Sequence, residues 1–167
     1  MRVRFTILSV GCLLVLMGGF YAFRHQTAGR APDVVFTTIQ GEKIAMGGLR
    51  GHPVLVTFWA SDCHSCIEEM PRLAEIYRQY GPRGLKMIGV AMHYDPPARV
   101  LAIASAKALP YPIALDSRAE YTQAFADVKL VPNSFLIAPN GEIAMHILGS
   151  FDVDGLKARI EAMLQEG

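Results

Sequence analysis

Along most of the chain, apolar residues recur with two alternating periods. Val54 to Trp59 (VLVTFW) is a continuous apolar run rich in β-branched and aromatic residues, which predicts a central strand buried on both faces. From His64 to Tyr80, the positions Ile67, Met70, Leu73, Ala74 and Tyr77 fall on one helical face, and Gly81-Pro82 ends the run. Pro71 removes a hydrogen bond to the Ile67 carbonyl, so a kink is expected within that helix. Leu85 to Met92 predicts the next strand, Pro96-Pro97 opens an Ala-rich helix to Leu109, Tyr111 to Leu115 is a short strand, and Ser117 to Phe125 is another helix. Phe135 to Ala138 and Glu142 to Leu148 predict a hairpin around Asn140-Gly141. Asp152 or Asp154 can cap a last amphipathic helix carrying Val153, Leu156, Ile160 and Met163 on one face. Ahead of all these, Val34–Thr38 and Lys43–Ala45, joined at Gln40-Gly41-Glu42, predict a β-hairpin. Strands alternating with helices describe an α/β sandwich on a mixed sheet.

The first 30 residues have a different pattern. Arg2 and Arg4 precede an uncharged run from Phe5 to Phe23, after which come Arg24, His25 and Arg30. At about 1.5 Å per residue such a run just crosses a hydrocarbon core of about 30 Å. An uncleaved membrane anchor is expected, with the body outside the cytoplasm. Two alternatives are a cleaved signal peptide, for which Tyr21-Ala22-Phe23 and Gly29-Arg30-Ala31 are poor cleavage sites, and a lipoprotein at Cys12. The division is therefore 1–30, anchor or signal segment with a short linker, and 31–167, one α/β domain.

Composition narrows the function. Lys and Arg number 16 against 15 Asp and Glu, a formal net charge of +1, and no basic field for nucleic acid exists. Since the first 30 residues hold four arginines and no acid, the body is mildly acidic. The 51% hydrophobic content supports a real core. Three cysteines are too few for a disulfide scaffold, and the close pair is Cys63 and Cys66.

That pair, Cys63-His64-Ser65-Cys66, lies between the buried strand and the first helix. Unpaired N–H groups and the positive end of the helix dipole stabilise a thiolate on Cys63, which makes Cys63 the expected nucleophile. Cys66, one turn further on, is placed to resolve a mixed disulfide. Structural zinc needs about four N/S ligands, and no second pair accompanies this one; His25, His52, His93 and His146 lack ligand spacing. A Cu(I) site made from Cys63, Cys66 and a distant histidine stays open as an alternative. Trp59 is expected to be core packing beside the active-site turn, with substrate contact a second role. His93 and Asp95 are expected to be solvated loop residues, with substrate selection as the alternative.

VLVTFWASDCHSC resembles the strand-to-active-site segment of thioredoxin-fold proteins, and VPNSFLIAPNGEI (131–143) resembles their cis-proline loop, strand and hairpin. The stretch between leaves room for the extra strand–helix unit of membrane-anchored TlpA/ResA-like thiol-disulfide reductases, and the resemblance covers about residues 31–167. It implies a thioredoxin-like fold: a mixed central sheet with helices on both faces, an N-terminal β-hairpin extension and a central strand–helix insertion. It also implies a cis peptide at Val131-Pro132 facing the cysteines, where the Val131 backbone pairs with a client peptide. The implied activity is reduction of disulfides in client proteins, such as the cysteines of apocytochrome c or of an oxidase copper site. A membrane thiol-disulfide protein would be the electron donor, and no dissociable cofactor or metal would be required.

Two residues depart from the pattern: Asp62 replaces an aromatic residue before the first cysteine and Ser65 replaces proline. The Asp62 carboxylate opposes a thiolate on Cys63, whereas the helix dipole and a cationic His64 would favour it. Thr57 stands where thioredoxin has a buried acid. The resemblance gives that acid/base role instead to Glu69 in the first helix, whereas a plain helical reading pairs Glu68 and Glu69 with Arg72 at the surface. Rival readings are a disulfide oxidant on the same fold, a copper-binding assembly factor, and a thiol peroxidase, the last disfavoured by Ala60 three residues before Cys63.

Overall fold

The computed structural model describes residues 29–166, so the uncharged run at 5–23, Cys12 and His25 lie outside the described residues. The short elements would scatter without a sheet to order them; here five strands form one sheet, running from edge to edge as Ile113–Leu115 (β5), Lys86–Ala91 (β4), Val54–Trp59 (β3), Asn133–Ile137 (β6) and Ile143–Leu148 (β7). Val54–Trp59 is β3, the central strand, with β4 (Lys86–Ala91) parallel on one side and β6 (Asn133–Ile137) antiparallel on the other. Parallel β5 (Ile113–Leu115) and antiparallel β7 (Ile143–Leu148) form the edges. β1 (Val35–Thr37) and β2 (Lys43–Ala45) make the separate antiparallel hairpin. The helices are α1 (His64–Tyr80), α2 (Pro97–Ala106), α3 (Glu120–Ala124) and α4 (Val153–Glu166). Among the described residues no helix is long and apolar enough to cross a membrane.

Every residue of β3 is buried, and the strand's period of two explains why an unbroken apolar run was needed. Leu55 and Trp59 face α1, α2 and α4 in a core with Leu73, Val100 and Ile160. Val54, Val56 and Phe58 face the other way, onto the hairpin and α3, with Phe36, Tyr121 and Phe125. On that second side the Tyr121 hydroxyl donates to Val35 O at 3.1 Å and accepts the Thr37 N–H at 3.0 Å, which fastens the hairpin to the domain.

Several element ends depart from the pattern-based limits for local reasons. α3 starts at Glu120 rather than near Ser117 because the buried Asp116 carboxylate accepts the N–H groups of Tyr121 (2.9 Å) and Thr122 (2.8 Å), leaving residues 117–119 as the turn. α2 stops at Ala106, and Ala108 takes a positive φ of 46° just beyond. Asp152, not Asp154, caps α4, accepting from Gly155 N–H at 3.1 Å. α1 runs unbroken through Pro71, which lies exposed on its outer face.

Candidate active site

β3 delivers Trp59 to one end of the sheet, and Ala60-Ser61-Asp62 carries the chain into α1. Cys63 is the N-cap, in extended conformation (φ −84°, ψ 101°), and its sulfur accepts the Cys66 N–H at 3.2 Å. The two sulfurs are bonded, with S–S 2.06 Å and Cα–Cα 5.3 Å. Burial distinguishes the two cysteines. Cys66 is 3% exposed and faces the core, whereas Cys63 is half-buried at the surface, with Ser65 Oγ 3.6 Å from its sulfur. Cys63 is the more accessible of the two.

Behind Cys66 lies a small cavity, with room for about one water-sized sphere, bounded by Thr57, Trp59, Cys66, Glu69, Tyr111 and Pro132. Gly89 leaves room for the Tyr111 ring and Ile113 to pack against β4: a Cβ there would stand 2.7 Å from Ile113 Cδ1 and 3.2 Å from Tyr111 Cε2. Thr57 does no acid/base work; its hydroxyl accepts from Ser134 Oγ at 3.0 Å. Trp59 is 3% exposed, so it is a wall of the chamber, as core packing predicts, and its Nε1 has no hydrogen-bond partner among the described residues. Tyr111 was legible only as a strand residue; its ring turns into the chamber, where burial and then the Glu69 charge push its phenol well above the usual range.

Glu69 is 4% exposed, and its Oε1 accepts the Phe151 N–H at 3.2 Å. Burial pushes its carboxyl up; the Phe151 N–H and the Arg72 charge oppose that rise. The surface pairing with Arg72 is not what forms: Glu69 points inward, and Glu68 bonds His64 at 3.2 Å on the exposed face. Glu69 also lines an outer polar groove with Ser65, Arg72 and Ser150, so this one residue borders both the chamber behind Cys66 and the groove.

Val131-Pro132 is a cis peptide, and Pro132 lines the same chamber as Cys66, which brings the two motifs together. Asp62 and His64 are exposed beside Cys63. Asp95 requires a correction. It is not a solvated loop residue but 8% exposed, accepting the Ser61 N–H at 2.7 Å and the Ser61 hydroxyl. His93 does remain exposed, its ring 5.2 Å from that of Tyr94. The signal for Asp95 was positional: it follows the strand next to β3, at the end where carboxyl termini of parallel strands gather functional groups. Among the described residues no three His, Cys, Asp or Glu side chains are grouped as a metal site requires.

A disulfide at a helix N-terminus, one sulfur open and the other backed by a buried carboxyl, on this sheet, defines a thiol-disulfide oxidoreductase of the thioredoxin fold. The chain belongs to the Redoxin family, whose model matches residues 26–164. It is 30% identical to a thiol-disulfide oxidoreductase ResA of Bacillus cereus, over 98% of this chain and 94% of that one. Identity to ResA of Geobacillus kaustophilus is also 30%, over 80% of this chain and 75% of that one. Among solved structures, StoA from Bacillus subtilis superposes with a TM-score of 0.67 at 27% identity, covering 77% of this chain and 96% of StoA. A thiol:disulfide interchange protein from Chlorobium tepidum TLS shares the fold, with a TM-score of 0.74 at 22% identity over 82% of this chain and 97% of that one.

Proposed function

We propose that the protein is a reductant of client disulfides, held to the outer face of a bacterial membrane by residues 5–23. The observation that carries this reading is the placement of Glu69, buried on the Cys66 side of an asymmetrically exposed pair. In the reduced state the Cys63 thiolate attacks one sulfur of a client disulfide. An S–S bond forms between Cys63 and the client, and the client's second sulfur leaves as a thiolate that takes up a proton. The Glu69 carboxylate accepts the Cys66 proton, and Cys66 attacks Cys63 Sγ, closing the observed disulfide and expelling the client's first sulfur, which Glu69 reprotonates. The client has then gained two electrons from the cysteine pair and two protons, one from Cys66 through Glu69 and one from solvent, and an external dithiol must return the electrons.

The groove lined by Arg72 and Ser150 gives Glu69 its exchange with solvent. Val131 and Pro132 pair with the client peptide beside the sulfurs, a role supported by the family resemblance and by Pro132 lining the cavity behind Cys66, and Trp59 acts as a wall rather than a contact. Asp62, His64 and Ser65 tune the thiolate from the exposed side. The ResA relatives support client-disulfide chemistry, and the family resemblance supports apocytochrome c or oxidase copper-site cysteines as clients, with a membrane thiol-disulfide protein as donor. The uncharged run after Arg2 and Arg4 supports the tether.

The test is single-turnover reduction of a disulfide-bonded CxxC peptide by the prereduced protein. Wild type should transfer both electrons, and Cys66→Ser should stop at a mixed disulfide through Cys63. Cys63→Ser should trap nothing; a mixed disulfide through Cys66 in that variant, or no transfer from the wild-type dithiol, overturns the reading.

A further inference from the structure

β3 and β4 run in parallel with Trp59 opposite Ala91, and Met92 N–H donates to Trp59 O at 3.0 Å. The two strands therefore deliver residues 60–62 and 93–95 side by side to the same end of the sheet. There the chain doubles back, Asp95 N–H donating to Met92 O at 3.0 Å, and the Asp95 side chain turns inward. Both of its oxygens are taken by one residue: Oδ2 accepts the Ser61 N–H at 2.7 Å, and Oδ1 accepts the Ser61 hydroxyl. Asp95 and Ser61 are each 8% exposed. An enclosed carboxylate is costly unless charge-assisted hydrogen bonds hold it, and nothing in the thiol exchange above uses this one.

What the pair touches is the turn that makes the nucleophile. Ser61 lies two residues before Cys63, within the turn closed by the Cys63 N–H to Ala60 O bond at 3.1 Å, and α1 begins on the Cys66 N–H to Cys63 Sγ contact at 3.2 Å. We propose that Asp95 is a positioning residue for the cysteine pair: by clasping Ser61 it fixes the turn that presents Cys63 at the start of α1, and it sets a negative charge against that turn. The proposal rests on the redox reading of the pair. Other groups around Cys63 are Asp62 and His64 at its flanks, Glu68 paired with His64, and Tyr94 on the Asp95 loop. The Tyr94 phenol is pushed up first by partial burial and then by Asp62 and Asp95, so both carboxylates act on this rim.

The charge has a definite sign. A carboxylate held against the turn that carries Cys63 makes its thiolate less stable, opposing the helix dipole. A less stable thiolate favours the disulfide over the dithiol, so Asp95 makes the pair a stronger reductant. Geometry and charge come apart on substitution, because Asp95→Asn keeps an oxygen for the Ser61 N–H and an N–H for the Ser61 hydroxyl while removing the charge.

The experiment follows alkylation of Cys63 against pH in the fully reduced protein, together with equilibration in glutathione buffers. Neither readout needs a client. Asp95→Asn should lower the alkylation midpoint by about one pH unit and shift the glutathione equilibrium about tenfold toward the dithiol. A merely structural role would lower the melting temperature and leave both readouts unmoved. A folded Asp95→Asn protein with the wild-type profile and equilibrium overturns the proposal. Ser61→Ala, which keeps the carboxylate but frees it from one donor, decides the matter if the first variant does not fold. It should change the limiting alkylation rate at high pH several-fold, and an unchanged rate overturns the clasp. A wild-type equilibrium on the oxidising side would instead count against the reductase reading, leaving the difference between variants intact.

Discussion

Phe151 donates its backbone N–H to Glu69 Oε1 at 3.2 Å, across 82 positions of sequence. This bond joins α1 to the loop ahead of α4 and holds the carboxyl on the cavity side of Cys66. A side chain used only for surface pairing would need neither the burial nor the backbone donor. Its raised proton affinity suits a group that must take a thiol proton and give it back.

Glu69→Gln keeps the oxygen for the Phe151 N–H and loses the titration. Client reduction should slow by about 10²- to 10⁴-fold and lose its acidic limb, while Glu68→Gln, changed on the exposed face, should leave the rate near wild type. Stopped-flow reduction of a CxxC peptide from pH 5 to 9 measures both. Equal, near-wild-type profiles would remove Glu69 from the mechanism.

The same carboxyl links stability to pH. Its folded proton affinity is raised above the ordinary value of 4.5, so its favourable contribution is fully present below that value and is lost as pH rises through the folded pKa. Glu69→Gln should therefore gain stability relative to wild type as pH climbs from about 4.5 into the neutral range, read from urea midpoints at several pH values. A pH-independent difference contradicts the raised proton affinity. Arg72→Gln removes a charge that holds the carboxyl down, and should move the acidic limb of client reduction to higher pH.

Gly89 predicts a cost in packing. Gly89→Ala places a methyl 2.7 Å from Ile113 Cδ1 and 3.2 Å from the Tyr111 ring, which overpacks the sheet beneath the chamber by about 1–3 kcal/mol. Urea unfolding gives the value, and a stability equal to wild type would show that Ile113 and Tyr111 move aside freely.

Local chemistry wrote much of this plainly. The apolar run of β3, the limits of α1 at His64 and Tyr80, and the cysteine pair at its start match the observed elements residue for residue. The cis peptide at Val131-Pro132 was legible by resemblance alone. What stayed hidden depends on contacts between distant segments. Asp95 looked like an ordinary loop acid because its partner, Ser61, is 34 positions away. Gly89 sat unmarked inside a strand, and Tyr111 showed only β propensity, since neither pattern reveals which rings meet across β4. Glu69 carried two readings at helical spacing, and the Phe151 backbone, which no periodicity encodes, distinguishes them.

Tethering is checked separately. Alkaline extraction of membranes should leave the intact chain in the pellet, and protease added to spheroplasts should digest residues 31–167. A protected body would overturn the compartment, and an exposed body released by alkali would overturn the anchor.

Whether the pair gives electrons to clients is read from the equilibrium of wild type with defined glutathione buffers. A reductant should lie near the thioredoxin end of the scale, about −270 mV, with the disulfide persisting until the buffer is strongly reducing. A value near about −120 mV, the range of a dedicated oxidant, would contradict the reductase reading and reverse the direction of electron flow.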